Sequence, residues 1–250
     1  MKKWILFMST VAFCAVLFTV ILASSRDDGL PPGNRTPERI GNGSLHVTYA
    51  FVERDFGELC QNADIIADVT ITSWLGDIPA SVGRSTRTMF EAKVNHWIKG
   101  RDADSPEIIN IIQSGSSLCT IEGYPLFQRE NRMLLFLVDN EGVLSEIEKT
   151  SWYEIYYGEN GTMDIQSDGD TEYLLDRMGY LTGEFMDVNT TALEPVDSGV
   201  QKTLRQQMKA TDPTVYESAY REQEFQQNIF RYEDFVTLIH AELKKGTDTP

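Results

Sequence analysis

Between Thr86 and Ile98 the chain alternates residue by residue. Phe90, Ala92, Val94, His96 and Ile98 fall on one face, and Glu91, Lys93 and Asn95 on the other. Period two is the spacing of a β-strand with one buried face; a helix repeats its faces every 3.6 residues and would scatter these apolar positions. His96 shares the apolar face, so it reads as a satisfied or barrel-end histidine rather than a metal ligand. The run ends at Lys99-Gly100.

Similar segments flank it. A short helix or turn over Phe51–Asn62 leads into a strand from Ala63 to Trp74, and Gly76, Pro79 and Gly83 then break the chain. Glu107–Gln113 is short and isoleucine-rich, suited to a buried strand. Arg132–Val138 is almost continuously apolar and stops at Asp139-Asn140-Glu141-Gly142. Trp152–Tyr157 and Thr162–Ile165 are separated by Asn160-Gly161, a strong hairpin signal. Five or six strands on short turns, without intervening helices, specify a small antiparallel barrel or sandwich. A dinucleotide-binding sheet, which needs strand and helix to alternate, is excluded.

The first twenty-five residues differ from all of this. Lys2 and Lys3 precede an uncharged apolar run from Trp4 to Ala23. Its twenty residues, as a helix rising about 1.5 Å each, span roughly 30 Å, enough to cross a hydrocarbon core. Residues 1–25 are therefore expected to be an N-terminal hydrophobic helix, either a retained signal anchor or a signal peptide cleaved after Ser25. In both cases the lysines stay inside and the remainder is exported. The expected locations are the cell membrane with an extracytoplasmic C-terminal domain, or secretion. Cys14 lies mid-run and does not read as a lipoprotein acylation site.

Setting the two lysines of this segment aside, the net charge of −16 becomes −18 over residues 26–250. So acidic a body repels nucleic acid and anionic lipid, and nucleic acid is excluded as a partner. The acidity is suited to keeping an exported domain soluble. Asp164-Ile-Gln-Ser-Asp168-Gly169-Asp170 has the opening of a calcium loop, but Leu175 stands where the bidentate glutamate belongs, so the segment reads as a polar turn.

Residues 26–50, with Pro31-Pro32-Gly33-Asn34 and Gly41-Asn42-Gly43-Ser44, read as a flexible tether, 51–166 as the barrel, 167–197 as a loop excursion and 198–245 as a helical segment. Ser198-Gly-Val-Gln201 has a capping-box pattern, with Val200, Leu204 and Met208 on one stripe behind it. Asp212-Pro213 supplies a second helix start. Phe225, Ile229, Tyr232, Val236, Ile239 and Leu243 follow at steps of four and three, the stripe of a helix packed along the barrel.

Cys60 and Cys119 are the two cysteines of the exported part and the candidate disulfide, with two separate buried thiols as the alternative. No histidine stands in a Cys-His signature with either. There is no Gly-x-Ser-x-Gly, His-Glu-x-x-His, phosphate-binding glycine loop or Cys-x-x-Cys, so no catalytic, cofactor or metal residue is assigned. Ser114–Ser117 with Tyr124-Pro125 could form a loop at a barrel mouth, and Trp152, Tyr153, Tyr156 and Tyr157 could in part stack a ligand, alternation placing half of them in the core.

Four landmarks in order carry a resemblance: Cys60-Gln-Asn-Ala-Asp64-Ile-Ile-Ala-Asp68-Val69, Phe90 through Lys99-Gly100, Gly115-Ser-Ser-Leu-Cys119, and Met133-Leu-Leu-Phe-Leu137. The stretch they span resembles the inhibitory domain of tissue inhibitors of metalloproteinases. It is also similar to a group of uncharacterised exported bacterial proteins with the same strand-lysine-glycine-strand pattern. The resemblance implies a mainly β fold: a small antiparallel OB-like (netrin-like) barrel with C-terminal helices. It does not imply the inhibitory activity, which in that family depends on an N-terminal cysteine that chelates zinc. No such cysteine opens the domain here. The family's partners for the two matching cysteines are also missing, so a Cys60–Cys119 bond is not inherited from it. The expected function is a non-enzymatic extracytoplasmic binding or regulatory module, engaging a protein or envelope component and touching the membrane through its N-terminal segment. An envelope-associated hydrolase using scattered carboxylates is the alternative.

Overall fold

A computed structural model describes residues 43–45, 56–78, 86–101, 105–121, 124–139, 152–156, 158–176, 193–211 and 229–247. The apolar segment 1–25 lies outside them, as do Tyr157, Phe225 and most of the tether. Among the described residues no helix is long and apolar enough to cross a membrane.

The elements are β1 (Gly43–Leu45), α1 (Phe56–Asn62), β2 (Ile65–Ile78), β3 (Arg87–Lys99), β4 (Ile108–Ser114), β5 (Cys119–Ile121), β6 (Arg132–Asp139), β7 (Trp152–Ile155), β8 (Thr162–Asp168), β9 (Thr171–Leu175), α2 (Ser198–Thr211), β10 (Ile229–Arg231) and α3 (Tyr232–Thr247). Strands β6-β2-β3-β4-β7 pair in that order, and β7 returns to β6. The result is a closed five-stranded barrel, compatible with an OB-like fold. It is not purely antiparallel, because β4 and β7 run parallel, Asn110 facing Trp152. β1, inside the stretch read as tether, pairs in parallel with β5, Gly43 opposite Cys119.

Alternation fills the barrel. Ile65, Ala67, Val69 and Ile71 of β2, Phe90, Ala92 and Val94 of β3, Ile109 and Ile111 of β4, Met133, Leu135 and Leu137 of β6, and Tyr153 and Ile155 of β7 form one interior cluster. Tyr124, Leu126 and Phe127 enter it from the β5–β6 connection. The buried Gln113 amide clamps that connection, donating to the Pro125 carbonyl at 2.9 Å and accepting the Phe127 N–H at 2.9 Å.

β6 is apolar at every turn of the pleat because both of its faces are covered. Leu134 and Phe136 point away from the barrel into a second core with Phe56, Leu59 and Cys60 of α1, Ile165, Leu174 and Phe230 of β8–β10, and Phe235, Val236 and Ile239 of α3. Phe235 organises this layer, its ring 5.5 Å from Phe56 and 5.3 Å from Phe230. Leu204 and Met208 seat α2 on Tyr173, Leu175 and Ile229.

Several expectations are corrected. Asn160-Gly161 does not close a hairpin, since β7 and β8 both pair antiparallel with β6, β7 along Leu137–Asp139 and β8 along Met133–Leu135. The Gly158–Gly161 3-10 turn is a jog between them. Gly161 is needed there because an added Cβ would collide with the Tyr156 carbonyl oxygen. The tight hairpin is one element later: Asp168 faces Thr171 across Gly169-Asp170, with Gly169 at φ +60°. The calcium-like segment is thus a strand and its turn, and β9 occupies part of the supposed loop excursion. The C-terminal stripe also begins later than its spacing suggests. Ile229–Arg231 is a strand because it pairs with Leu175–Tyr173 of β9, and the helix starts at Tyr232. α2 is capped by Asp197 rather than Ser198: its Oδ1 accepts the Gly199 N–H at 2.7 Å, and Gln201 Nε2 reaches back to the Val196 carbonyl at 2.9 Å.

Candidate functional site

The polar residues gather at three places on the barrel. The first is a brace on the outer wall, where β2, β3 and β6 meet β9 and α3. Asp68, 1% exposed, accepts from Arg132 Nε at 3.1 and 3.2 Å and from Arg132 Nη2 at 2.6 Å. The other edge of the guanidinium holds Glu172, through Nη1 to Oε1 and through Nη2 to Oε2 at 3.1 Å. Hydrogen bonding to Asp68 raises the Arg132 pKa, Glu172 adding to it against partial burial. The cation is permanent and bridges strands β6, β2 and β9.

A bulge completes the brace. Val69 faces Val94 but Asp68 faces His96, so Asn95 is the extra residue on β3. It shifts the phase of His96 and Trp97, before a second bulge at Ile98, where Ala67 faces Trp97 and Ile66 faces Lys99. This corrects the reading of His96: the imidazole is exposed on the outer wall, not on the apolar face. The Asn95 amide donates to Asp68 Oδ1 and to Thr70 Oγ1, both at 2.9 Å. His96 Nδ1 lies 3.4 Å from the Tyr232 hydroxyl at the start of α3. Burial first, and then the neighbouring Asp68 carboxylate, push the Tyr232 phenol well above its ordinary pKa. It stays a neutral donor. The arrangement locks α3 and β9 to the barrel; it holds its two carboxylates on one arginine.

The second place is the Lys99-Gly100 landmark. Lys99 Nζ donates to the carbonyls of Cys60 at 3.0 Å, Gln61 at 2.6 Å and Ala63 at 2.5 Å, closing the C-terminus of α1. Desolvation lowers its pKa, opposed by Asp64 and by Cys60. Gly100 has φ +86°, and a Cβ there would collide with the Asp64 carbonyl oxygen. The role is structural, and the sequence reading did not reach it, although a lysine that ends a strand a fixed distance from a helix C-terminus is the signal.

The third is the Ser114–Ser117 turn. Asp77 accepts from Thr88 Oγ1 at 2.8 Å, from the Ser117 N–H at 3.0 Å and from Ser117 Oγ at 2.6 Å. Ser116 and Cys119 exchange backbone bonds of 2.8 and 3.1 Å. The turn is tightly held, and Tyr124 is buried in the barrel with its hydroxyl 3.1 Å from Thr162 Oγ1. The two segments expected at the barrel mouth, Ser114–Ser117 and Tyr124-Pro125, therefore do not form one surface. Cys60 is a buried thiol in the helical core and Cys119 a half-buried thiol on β5, and the two are not joined in a disulfide.

The helices and β8–β10 cover the β2–β6 side of the barrel. The opposite wall, β3–β4, turns Lys93 and Ile108 outward as direct partners, with Glu91 beside Asn110 and Met89 beside Ile112 behind them. Ile108 is 45% exposed, one of two large hydrophobic side chains so exposed among the described residues; the other is Leu118. Farther along the wall Ile112 and Trp152 pack together with Leu75, Ile78 and Met89 and are buried. Tyr153 is inside the barrel, and Tyr156 packs on the helical core, so these aromatics do not form a common stacking platform. Arg87 closes this end of the wall: it reaches Glu154 at 3.6 Å, and its buried Nε meets no acceptor. Among the described residues no group of His, Cys, Asp and Glu is placed to hold a metal ion. No protein-family model, curated protein or solved structure matches the chain.

Proposed function

We propose that this chain is an extracytoplasmic binding or regulatory module that engages a protein or other envelope component through the β3–β4 wall of its barrel. The observation that carries the reading is Ile108, exposed beside Lys93 on the one broad barrel face that the described helices leave open. In barrels of this type that face and its adjoining loops are the usual binding surface. A half-exposed isoleucine beside a cation suits a partner with an apolar patch and an acidic group, and the net charge of −16 disfavours nucleic acid. Lys2, Lys3 and the apolar run Trp4–Ala23 support attachment at the membrane, or release if cleavage follows Ser25.

The netrin-like assignment belongs to the same proposal. What supports it is that two of its landmarks are a single feature in space, Lys99 capping the helix that carries Cys60 and Gly100 packing on Asp64. Metalloproteinase inhibition is no part of it, because the chelating N-terminal cysteine is missing. The test is capture from the native envelope with the intact chain as bait, wild type against Ile108→Asp and Lys93→Glu. The reading expects a partner that wild type enriches at least tenfold over both variants while all three melt alike. Equal recovery by all three would remove the wall from the account.

A further inference from the structure

Arg87 is the first residue of β3, flanked by Ile78 of β2 and Ser114 of β4. It is 8% exposed. Among the described residues its guanidinium has one polar neighbour, Glu154 Oε2 at 3.6 Å from Nη1, beyond hydrogen-bond range, and its buried Nε has none. Arg132 shows the same side chain when it serves the fold: Nε and Nη2 hold Asp68, and Nη1 and Nη2 hold Glu172. A buried cation as poorly satisfied as Arg87 costs stability. Such violations in a folded chain mark positions kept for something other than the fold.

The Glu154 side chain is 40% exposed, so the end of the guanidinium that it faces is reached from solvent. The pairing of β3 with β4 is unbroken from Arg87 to Lys93, so the two cations share the outer face of the wall. Six strand residues place them about 20 Å apart. The apolar cluster of Ile112, Trp152, Leu75, Ile78 and Met89 lies on the same face. It lowers the dielectric beside Arg87, where a well-placed counter-charge is worth more than it is in water.

We infer that Arg87 is a carboxylate-binding site, taking a second acidic side chain of the partner through its Nη1–Nη2 edge with Glu154 as the placeholder that gives way. The identity of the occupant rests on the function proposed above. The exchange replaces one long ion pair with a bidentate one and returns Glu154 to water, so the charge balance at the guanidinium is kept. A carboxylate suits the site better than a phosphate: the nearest cation along the strand is Lys93, and the Glu154 charge opposes a dianion. The partner accordingly presents two acidic groups about 20 Å apart, one for each end of the wall.

The test labels the full chain with 15N-arginine and follows the Arg87 Nε–H resonance, identified by its loss in Arg87→Met. Sodium acetate is added at constant ionic strength against chloride, and inorganic phosphate in a parallel series. The inference expects acetate to give a saturable shift, half-complete at an at least about threefold lower concentration in Glu154→Gln than in wild type, with phosphate binding more weakly. No saturable acetate shift in Glu154→Gln, or tighter binding of phosphate, overturns it. In the capture that tests the wall, Arg87→Met is expected to lower recovery at least about fivefold and Glu154→Gln to raise it. An ion pair that merely braced the wall would move both variants the same way, and that result also overturns the inference. Recovery that depends on Ile108 and Lys93 but not on Arg87 does so too, and leaves the wall reading intact. Recovery indifferent to Ile108 and Lys93 removes the wall, and with it the partner assigned to Arg87.

Discussion

Two arginines show how the same side chain can serve or cost a fold according to its partners. Arg132 is saturated: Asp68 and Glu172 use both edges of its plane, and Asp68 is almost wholly buried. Arg132→Met leaves that carboxylate with no cation and is expected to cost about 3 kcal/mol, since breaking a buried pair strands the remaining charge. Arg87 is also buried, but its ion pair is long, its partner is half-exposed, and Nε is unsatisfied. Arg87→Met is expected to leave stability unchanged or to raise it by about 1 kcal/mol. Urea unfolding of both variants checks the contrast. Glycines divide in the same way. Gly100 and Gly169 both have positive φ, yet only Gly100 has a backbone carbonyl in the space a Cβ would take. Gly169→Ala is expected to cost about 1 kcal/mol from conformation alone, and Gly100→Ala at least twice that, read from the same unfolding curves.

At the scale of elements, the docking of α3 depends on the protonated Tyr232 phenol. Its folded pKa lies above the unfolded value near 10. Between the two, the folded state keeps a proton that the unfolded state has lost, so this contribution is fully present below about pH 10 and is lost as pH rises beyond it. Lys99, with its folded pKa lowered, acts in the opposite sense and is untouched by a change at position 232. Tyr232→Phe is therefore expected to flatten the alkaline fall in stability relative to wild type, measured by melting from pH 8 to 12. An unchanged slope would mean that the phenol does not hold α3. The strand pattern was legible wherever one face of a strand met the core: β3, β4 and β6 lie within a residue or two of their sequence boundaries. What escaped was set by tertiary pairing. Asn160-Gly161 has hairpin chemistry, but β6 offers one long edge that both flanking strands use. Ile229–Arg231 continues a helical stripe in sequence, but the free edge of β9 claims it. His96 has the right parity for the interior until the bulge at Asn95 reverses it, and no local signal marks that bulge. The brace was hidden for the same reason, since Asp68, Arg132, Glu172 and Tyr232 come from four elements and share no motif.

Over the whole molecule, the described part is a closed barrel with helices and a three-stranded extension on one side and a bare wall on the other. That asymmetry motivates the proposed binding function. The two thiols stand in separate elements, Cys60 in α1 and Cys119 in β5, and are not joined in a disulfide. Reductant is therefore expected to leave the intact mass unchanged; a rise of about 2 Da would reveal an internal bridge and require these elements to move. The same spectrum reports whether the chain begins at Met1 or near Arg26, which decides between a membrane-held and a released module. The proposal itself is tested most directly by hydrogen exchange on the intact chain, alone and with the component it captures from its native envelope. The account predicts slowed exchange in Glu91–Asn95 and Ile108–Ile112 on binding, with the brace around Arg132 unchanged. Protection confined to the helical side, with the β3–β4 wall unaffected, would contradict it.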